Sequence, residues 1–233
     1  MKNNEEKYDI FYSQIYDLVM EPKKSADFIM KRVIKLTKPS KSKDTLFLDA
    51  GCGTGYLVNQ LNQYRYPTIG IDRSKSMIDY AKSKYPDINV SIGDLEEPMT
   101  FNAKTFTHII CNQKTIYEIK EKIGFFRNCH HWLVMDGFFI IELNDTISNI
   151  SNANTTNRRF GDFQYKTTIQ PIDETIVLFT EKFTDLKSSH VRENEQTYYT
   201  GNIVQDIIYC GFTEYNQIKG EEGSIFYIFT KNP

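Results

Sequence analysis

The stretch LDAGCGTGYL places Asp49 just before three glycines at alternate positions, Gly51, Gly53 and Gly55, directly after a short apolar run. A strand that turns sharply into a helix leaves N–H groups pointing outward, and a missing Cβ lets a ligand touch the backbone. A pyrophosphate-binding loop of the form G-x-G-x-x-G wants a small sixth residue, but Tyr56 stands there. Asp49 would also repel a phosphate, so the loop suits a cationic ligand better. Asp72 lies 21 positions beyond Gly51 (72 − 51), about the distance at which an acid grips ribose hydroxyls. Asp94, after a third apolar run, can accept a hydrogen bond from an adenine amino group. Together these residues call for a ligand with a positive centre, a ribose and an adenine.

The elements that must position these acids follow from periodicity. Apolar runs at TLFLD, TIGID (68–72), INVSIGD (88–94), THIICN (107–112) and FFIIEL (138–143) alternate with amphipathic helical segments at 54–63, KSMIDYAKSKY and around FFRNCHHWL. Strands alternating with helices imply right-handed crossovers and a mostly parallel sheet covered on both faces, a doubly wound α/β domain. Ligands in such sheets sit beyond the C-terminal strand ends, where Asp49, Asp72 and Asp94 converge. A positive centre, a ribose and an adenine there describe S-adenosylmethionine (SAM). Two helices, separated near Glu21-Pro22, precede the sheet. The polar segment 144–159 reads as a mobile loop. After it, FQYKTTIQ, TIVLFTEKFT and SHVRENEQTYYT alternate as antiparallel strands, and a helix with two final strands closes the chain.

As an ordered set, LDAGCGTG, GIDRSKSMI, GDLEEP and the segment from FTHIICNQ to LVMDGFFII resemble the motifs of class I SAM-dependent methyltransferases over roughly residues 44–143. The resemblance implies a Rossmann-like, seven-stranded sheet whose last strand runs antiparallel to the others, with S-adenosylhomocysteine as product. It divides the chain into an N-terminal helical lid (1–40), a SAM-binding core (44–143), an antiparallel β insertion (160–200) and the final helix and strands of the core (201–233). By position, Asp49, Gly51 and Gly53 would face the methionine portion, Asp72 the ribose hydroxyls, and Met77 the adenine face, with Gly55 and Arg73 also among the cofactor-binding residues. Asp94 and Leu95 would meet the adenine edge, and Cys111 and Asn112 the floor near the sulfonium. Two positions depart from the family pattern. His108 stands where an acid is common, and MDG replaces PGG before the fifth strand.

The acceptor must be read from additions to the core, because methyl transfer needs alignment and exclusion of water more than covalent machinery. CNQK follows the fourth strand where enzymes acting on base amino groups resemble one another in a [DNS]-P-P-[FYW] motif. That departure, with a net charge of −2, argues against nucleic acid as partner. No acidic cluster suggests catalytic Mg²⁺, and no metal site is expected. The N-terminal helix FYSQIYDLV and the insertion are similar to small-molecule N-methyltransferases acting on amino sugars attached to nucleotides. A second similarity, across CNQKTIYEI, FFRNCHHWL and DFQYKTTI, is to uncharacterised methyltransferases of large DNA viruses and protists.

The expected activity is methyl transfer to N or O of a small polar molecule, a sugar or sugar nucleotide being the most specific reading. The alternatives are an RNA or protein methyltransferase and a SAM-binding partner subunit without catalysis. His190 is the acid/base candidate, since a neutral imidazole could take the acceptor's proton. Tyr16, on the lidding helix, is a candidate for touching cofactor or substrate. His130 and His131 read as structural. Cys52, Cys111, Cys129 and Cys210 form no C-x-x-C pair, which points to a reduced, cytoplasmic protein. Sequons at Asn89, Asn144, Asn149 and Asn154 therefore read as chance. No run is long and apolar enough to suggest a membrane. Exposed strands of the insertion could pair two copies as a homodimer.

Overall fold

The computed structural model describes residues 7–42, 44–148 and 150–231. Asn149, expected in the polar loop, lies outside them. The chain opens with α1 (Ile10–Met20), capped by Asp9, whose carboxylate accepts the Tyr12 N–H at 2.9 Å. Glu21 ends it with a left-handed backbone (φ 47°), and Pro22 starts α2 (Pro22–Phe28), where a missing N–H costs nothing. A π-helical turn, Ile29–Val33, leads into α3 (Ile34–Thr37). The two-helix expectation thus holds, with the break at Glu21-Pro22.

The core then alternates: β1 (Phe47–Ala50), α4 (Tyr56–Gln63), β2 (Thr68–Asp72), α5 (Lys75–Lys84), β3 (Asn89–Ile92), β4 (Phe106–Cys111). It continues with α6 (Thr115–Glu118), α7 (Lys122–Trp132), β5 (Leu133–Asn144) and α8 (Asp145–Ser148). After an excursion described below, α9 (Ile203–Tyr209), β10 (Phe212–Lys219) and β11 (Ser224–Lys231) return to the sheet. The seven strands run in the order β10-β11-β5-β4-β1-β2-β3. The five strands from β3 to β5 are parallel, and β11 is antiparallel to both β5 and β10. Strand order reverses between β1 and β4, which opens a crevice at their C-terminal ends.

Strand alternation sorts the core into two faces. Leu48, Ile109, Phe139 and Ile141 meet Phe125, Phe126 and Trp132 of α7 on one side. Phe47, Ile110, Ile140 and Ile228 meet Ile29, Val33, Leu57 and Leu61 on the other. The odd polar residue is His108. Its ring stacks on Phe47 at 4.3 Å, with Phe138 at 5.3 Å, and burial pushes its pKa down to about 3. His108 is therefore a neutral core ring, where the family pattern often has an acid. His130 packs edge-on against Phe212.

The excursion is a second, four-stranded antiparallel sheet: β6 (Asn154–Phe160), β7 (Phe163–Pro171), β8 (Ile176–Asp185) and β9 (Val191–Tyr199), in that spatial order. Three strands were expected. The fourth, β6, lies in the segment read as a mobile loop, as does α8. β6 is mostly exposed and Asn/Thr-rich, so it carries no apolar alternation. Main-chain pairing to β7, from Asn154↔Ile169 to Phe160↔Phe163, makes it a strand. Arg158 ties it to α1 through Glu21 Oε2 at 2.8 Å and the Val19 carbonyl. The inner face of this sheet carries Tyr165, Phe179, Glu181, Phe183 and Tyr198, all buried. No helix among the described residues is long and apolar enough to cross a membrane.

Candidate functional site

A cleft of about 740 Å³, counting its open mouth, lies beyond the C-terminal ends of β1, β2, β3 and β4. Gly51 and Gly53 from the turn after β1, Asp72 and Arg73 after β2, and Asp94 and Leu95 after β3 line it, together with Met77 and Tyr16. These eight expected residues converge on one space.

The glycine turn is built for close approach. Gly51 has φ +83°, and a Cβ there would stand 2.5 Å from the Thr115 side chain. A Cβ on Gly53 would meet only the Tyr16 ring, at 3.7 Å, so that ring is the lid over the turn. α1 is fastened there by Thr54 Oγ1, which donates to Asp17 Oδ1 at 2.5 Å, and by the Lys84–Asp17 ion pair. Gly55 does different work from its neighbours. Its Cβ would strike Ile88 at 2.5 Å, so it allows helix and strand to pack and does not line the cleft.

Asp72 and Asp49 are enclosed, and Asp94 is not. Asp72 receives the Gly53 N–H on Oδ2 and the Ser74 N–H on Oδ1, each at 2.9 Å. Burial still raises its pKa. Asp49 lies behind the turn, 1% exposed, and its Oδ1 has no hydrogen-bond partner. Burial, with the Asp72 charge beside it, pushes its carboxyl up to about 8. A buried carboxylate with an unmet oxygen beside an open backbone turn is the complement of a cation. Asp94 is exposed at the rim and accepts the Glu96 N–H at 2.9 Å. These residues fit SAM: an orphaned acid for the positive methionine end, a braced acid for the ribose, and Met77 and Leu95 as apolar walls for the adenine.

Three expected residues stand elsewhere. Cys111 is buried in the core against α7, and burial pushes its thiol up. Asn112 follows it, half-buried and outside the cleft lining. His190 is exposed at the turn between β8 and β9, where its main chain bonds to Asp185 and Ser188. Its side chain is exposed and is not among the residues that line the cleft.

The sequence reading missed a buried charged cluster roofing the cleft. Glu181 of β8, fully buried, accepts from Tyr12 Oη at 2.9 and 3.0 Å and from Tyr165 Oη. Lys7 Nζ lies 3.5 Å from Glu181 and 3.3 Å from Glu118, and donates to Gln196. Arg73 Nη2 meets Glu118 at 2.9 Å, and Tyr8 Oη donates to the same carboxylate. Burial works to raise the pKa of both acids, but these cations and hydroxyls outweigh it and hold both below the ordinary carboxylate value. Lys114 Nζ, at the cleft wall, stands 3.9 Å from Glu181 Oε1 and 3.9 Å over the Phe179 ring, and burial lowers its pKa to about 8. One signal was legible. In Val177-x-Phe179-x-Glu181-x-Phe183 an acid sits in the inward register of an apolar strand.

Comparison with known proteins agrees with this geometry. Residues 47–137 match the family described as "Methyltransferase domain". Over 122 residues the chain is 28% identical to the 18S rRNA (guanine-N(7))-methyltransferase of Bos taurus, covering 48% of this chain and 43% of that protein. The chain thus spans less than half the length of that relative. Among solved structures, a SAM-dependent methyltransferase from Clostridium acetobutylicum superposes with TM-score 0.74 at 18% identity, over 95% of this chain and 98% of that one. A SAM-bound amino pentose methyltransferase from Micromonospora echinaspora superposes with TM-score 0.69 at 16% identity, over 94% and 97%.

Proposed function

Since this chain carries a class I SAM-dependent methyltransferase domain, we propose that it binds SAM and transfers a methyl group to N or O of a small polar acceptor, a sugar or sugar nucleotide being the most specific reading. SAM would supply an electrophilic methyl group on a sulfonium. This chain's residues bind, orient and exclude water. Asp49 would answer the positive methionine end, and Asp72 would accept the ribose hydroxyls in a plane fixed by Gly53 and Ser74. Met77 and Leu95 would flank the adenine, with Asp94 at its edge. Tyr16, held by Gln113 Oε1 at 2.7 Å, closes the turn from above.

The observation that carries the small acceptor is the roof. α1 and the second sheet meet over the cleft, joined by Lys7, Glu118 and Glu181, none more than one-tenth exposed. A closed, charged ceiling suits a compact polar molecule better than a polymer strand. The full-length similarity in fold to an amino pentose methyltransferase supports the same choice. The rRNA methyltransferase likeness covers only 48% of this chain. Calorimetry with SAM, followed by transfer of radiolabelled methyl to a panel of amino sugars, sugar nucleotides, RNA and protein, tests this. Absence of SAM binding would remove the whole reading, and labelling confined to RNA would replace the acceptor.

A further inference from the structure

Strand order puts the end of β4 on the far side of β1 from β2 and β3. Lys114 and Thr115, just after β4, therefore line the cleft on that side, and Glu118 reaches across to Arg73 at 2.9 Å. Resting on the methyltransferase reading of this cleft, we propose that the Lys114 ammonium receives an anionic oxygen group, a carboxylate or phosphate, of a ligand held on that side.

The contacts of the roof leave the Lys114 ammonium without a close partner. Glu118 is met by Arg73 at 2.9 Å and Lys7 at 3.3 Å. Glu181 is met by Lys7 at 3.5 Å and by the hydroxyls of Tyr12 and Tyr165. Lys7 and Arg73 thus meet these two carboxylates directly, and Lys114 makes no close contact with either. At 3.9 Å from Glu181 it is attracted but lies beyond hydrogen-bond distance. Among the described residues no other polar partner reaches its Nζ. Three N–H donors on a side chain only 22% exposed are left unspent.

The neighbouring hydroxyls cannot do this work instead. Tyr8, Tyr12 and Tyr16 each donate their proton inward, to Glu118, Glu181 and Gln113. Phe179 beneath the ammonium and Glu181 beside it hold the side chain in place. A ligand oxygen bearing negative charge would satisfy both the ammonium and its unspent donors. The same chemistry has two sources: the methionine carboxylate of the methyl donor, or a carboxylate or phosphate on the acceptor.

Lys114→Met and Lys114→Arg distinguish them, with thermal midpoints confirming folding. S-adenosylhomocysteine and methylthioadenosine, which lacks the amino-acid end, are titrated by calorimetry. Inorganic phosphate is then added to the S-adenosylhomocysteine complexes as an anion probe. If the donor's carboxylate is the ligand, Lys114→Met weakens S-adenosylhomocysteine at least tenfold and leaves methylthioadenosine unchanged. If the acceptor's anion is the ligand, S-adenosylhomocysteine binds both proteins alike, and phosphate raises the midpoint of the wild-type complex but not of Lys114→Met. Lys114→Arg retains the wild-type response in either case. A Lys114→Met protein that matches wild type in S-adenosylhomocysteine affinity and in phosphate response overturns the assignment. A wild type that binds no S-adenosylhomocysteine removes the methyltransferase reading and this assignment with it.

Discussion

The Asp72 carboxylate is gripped at both oxygens by backbone N–H groups, and lone pairs remain on each for ribose hydroxyls. Asp72→Ala should weaken SAM by about 2–4 kcal/mol, the scale of two charge-assisted hydrogen bonds. Calorimetry checks this, and unchanged affinity would move the ribose elsewhere. His190→Ala should leave both SAM affinity and turnover as in wild type, because the imidazole stands on an exposed turn. A tenfold slower rate would return it to the site. Asp49 makes a pH prediction. Its carboxyl titrates at about 8 in the fold against an ordinary 3.8, so the folded chain keeps a proton that the unfolded chain has lost between those values. Its contribution to stability is therefore fully present below 3.8 and is lost as pH rises to about 8. A cation beside it reverses the balance, and binding expels the proton. SAM affinity should rise with pH up to about 8 and level off above it, and a flat profile from pH 6 to 9 would contradict the role given to Asp49.

At the scale of elements, the helix after β2 connects two parts of the site. Ser74 Oγ caps α5 by accepting the Met77 N–H at 3.2 Å and donates to the Tyr8 carbonyl at 2.7 Å. Ser74→Ala should cost about 1 kcal/mol, the usual worth of such a cap, and release the N-terminal segment from the cleft. A urea midpoint equal to that of wild type would show the cap to be idle. Elements of the core were legible because a doubly covered parallel strand must be apolar on both faces, as Phe47-Leu48 and Ile109-Ile110 are. β6 was not legible. An exposed edge strand of Asn, Thr and Arg takes its conformation from the hydrogen bonds of its neighbour, and no side-chain period announces it. The inward Glu181 was visible as an anomaly in β8, yet its partners come from residues 7, 12 and 165.

Over the whole molecule, Glu181 joins three distant parts of the chain: the N-terminal segment through Lys7 and Tyr12, the core through Lys114, and its own sheet through Tyr165. Removing one member of a buried ionic network strands the others without partners. Glu181→Ala should destabilise the protein by about 3 kcal/mol, roughly 6–12 °C in thermal midpoint for a chain of this size. A shift under about 1 °C would mean that the roof is held by its aromatic contacts alone.

Sequence by itself determined which residues stand at the strand ends around the cleft. Gly51, Gly53, Asp72, Met77 and Asp94 are tied to strand ends by short local spacing, and a parallel sheet brings strand ends together whatever else the chain does. Only the tertiary structure decided the roof. Lys114, Glu118, Glu181 and Lys7 lie up to 174 positions apart (181 − 7), and they meet because an inserted sheet folds back over the cleft. Burial then decides their chemistry, since a lysine or glutamate costs little in water and must find a partner once it is taken out of it.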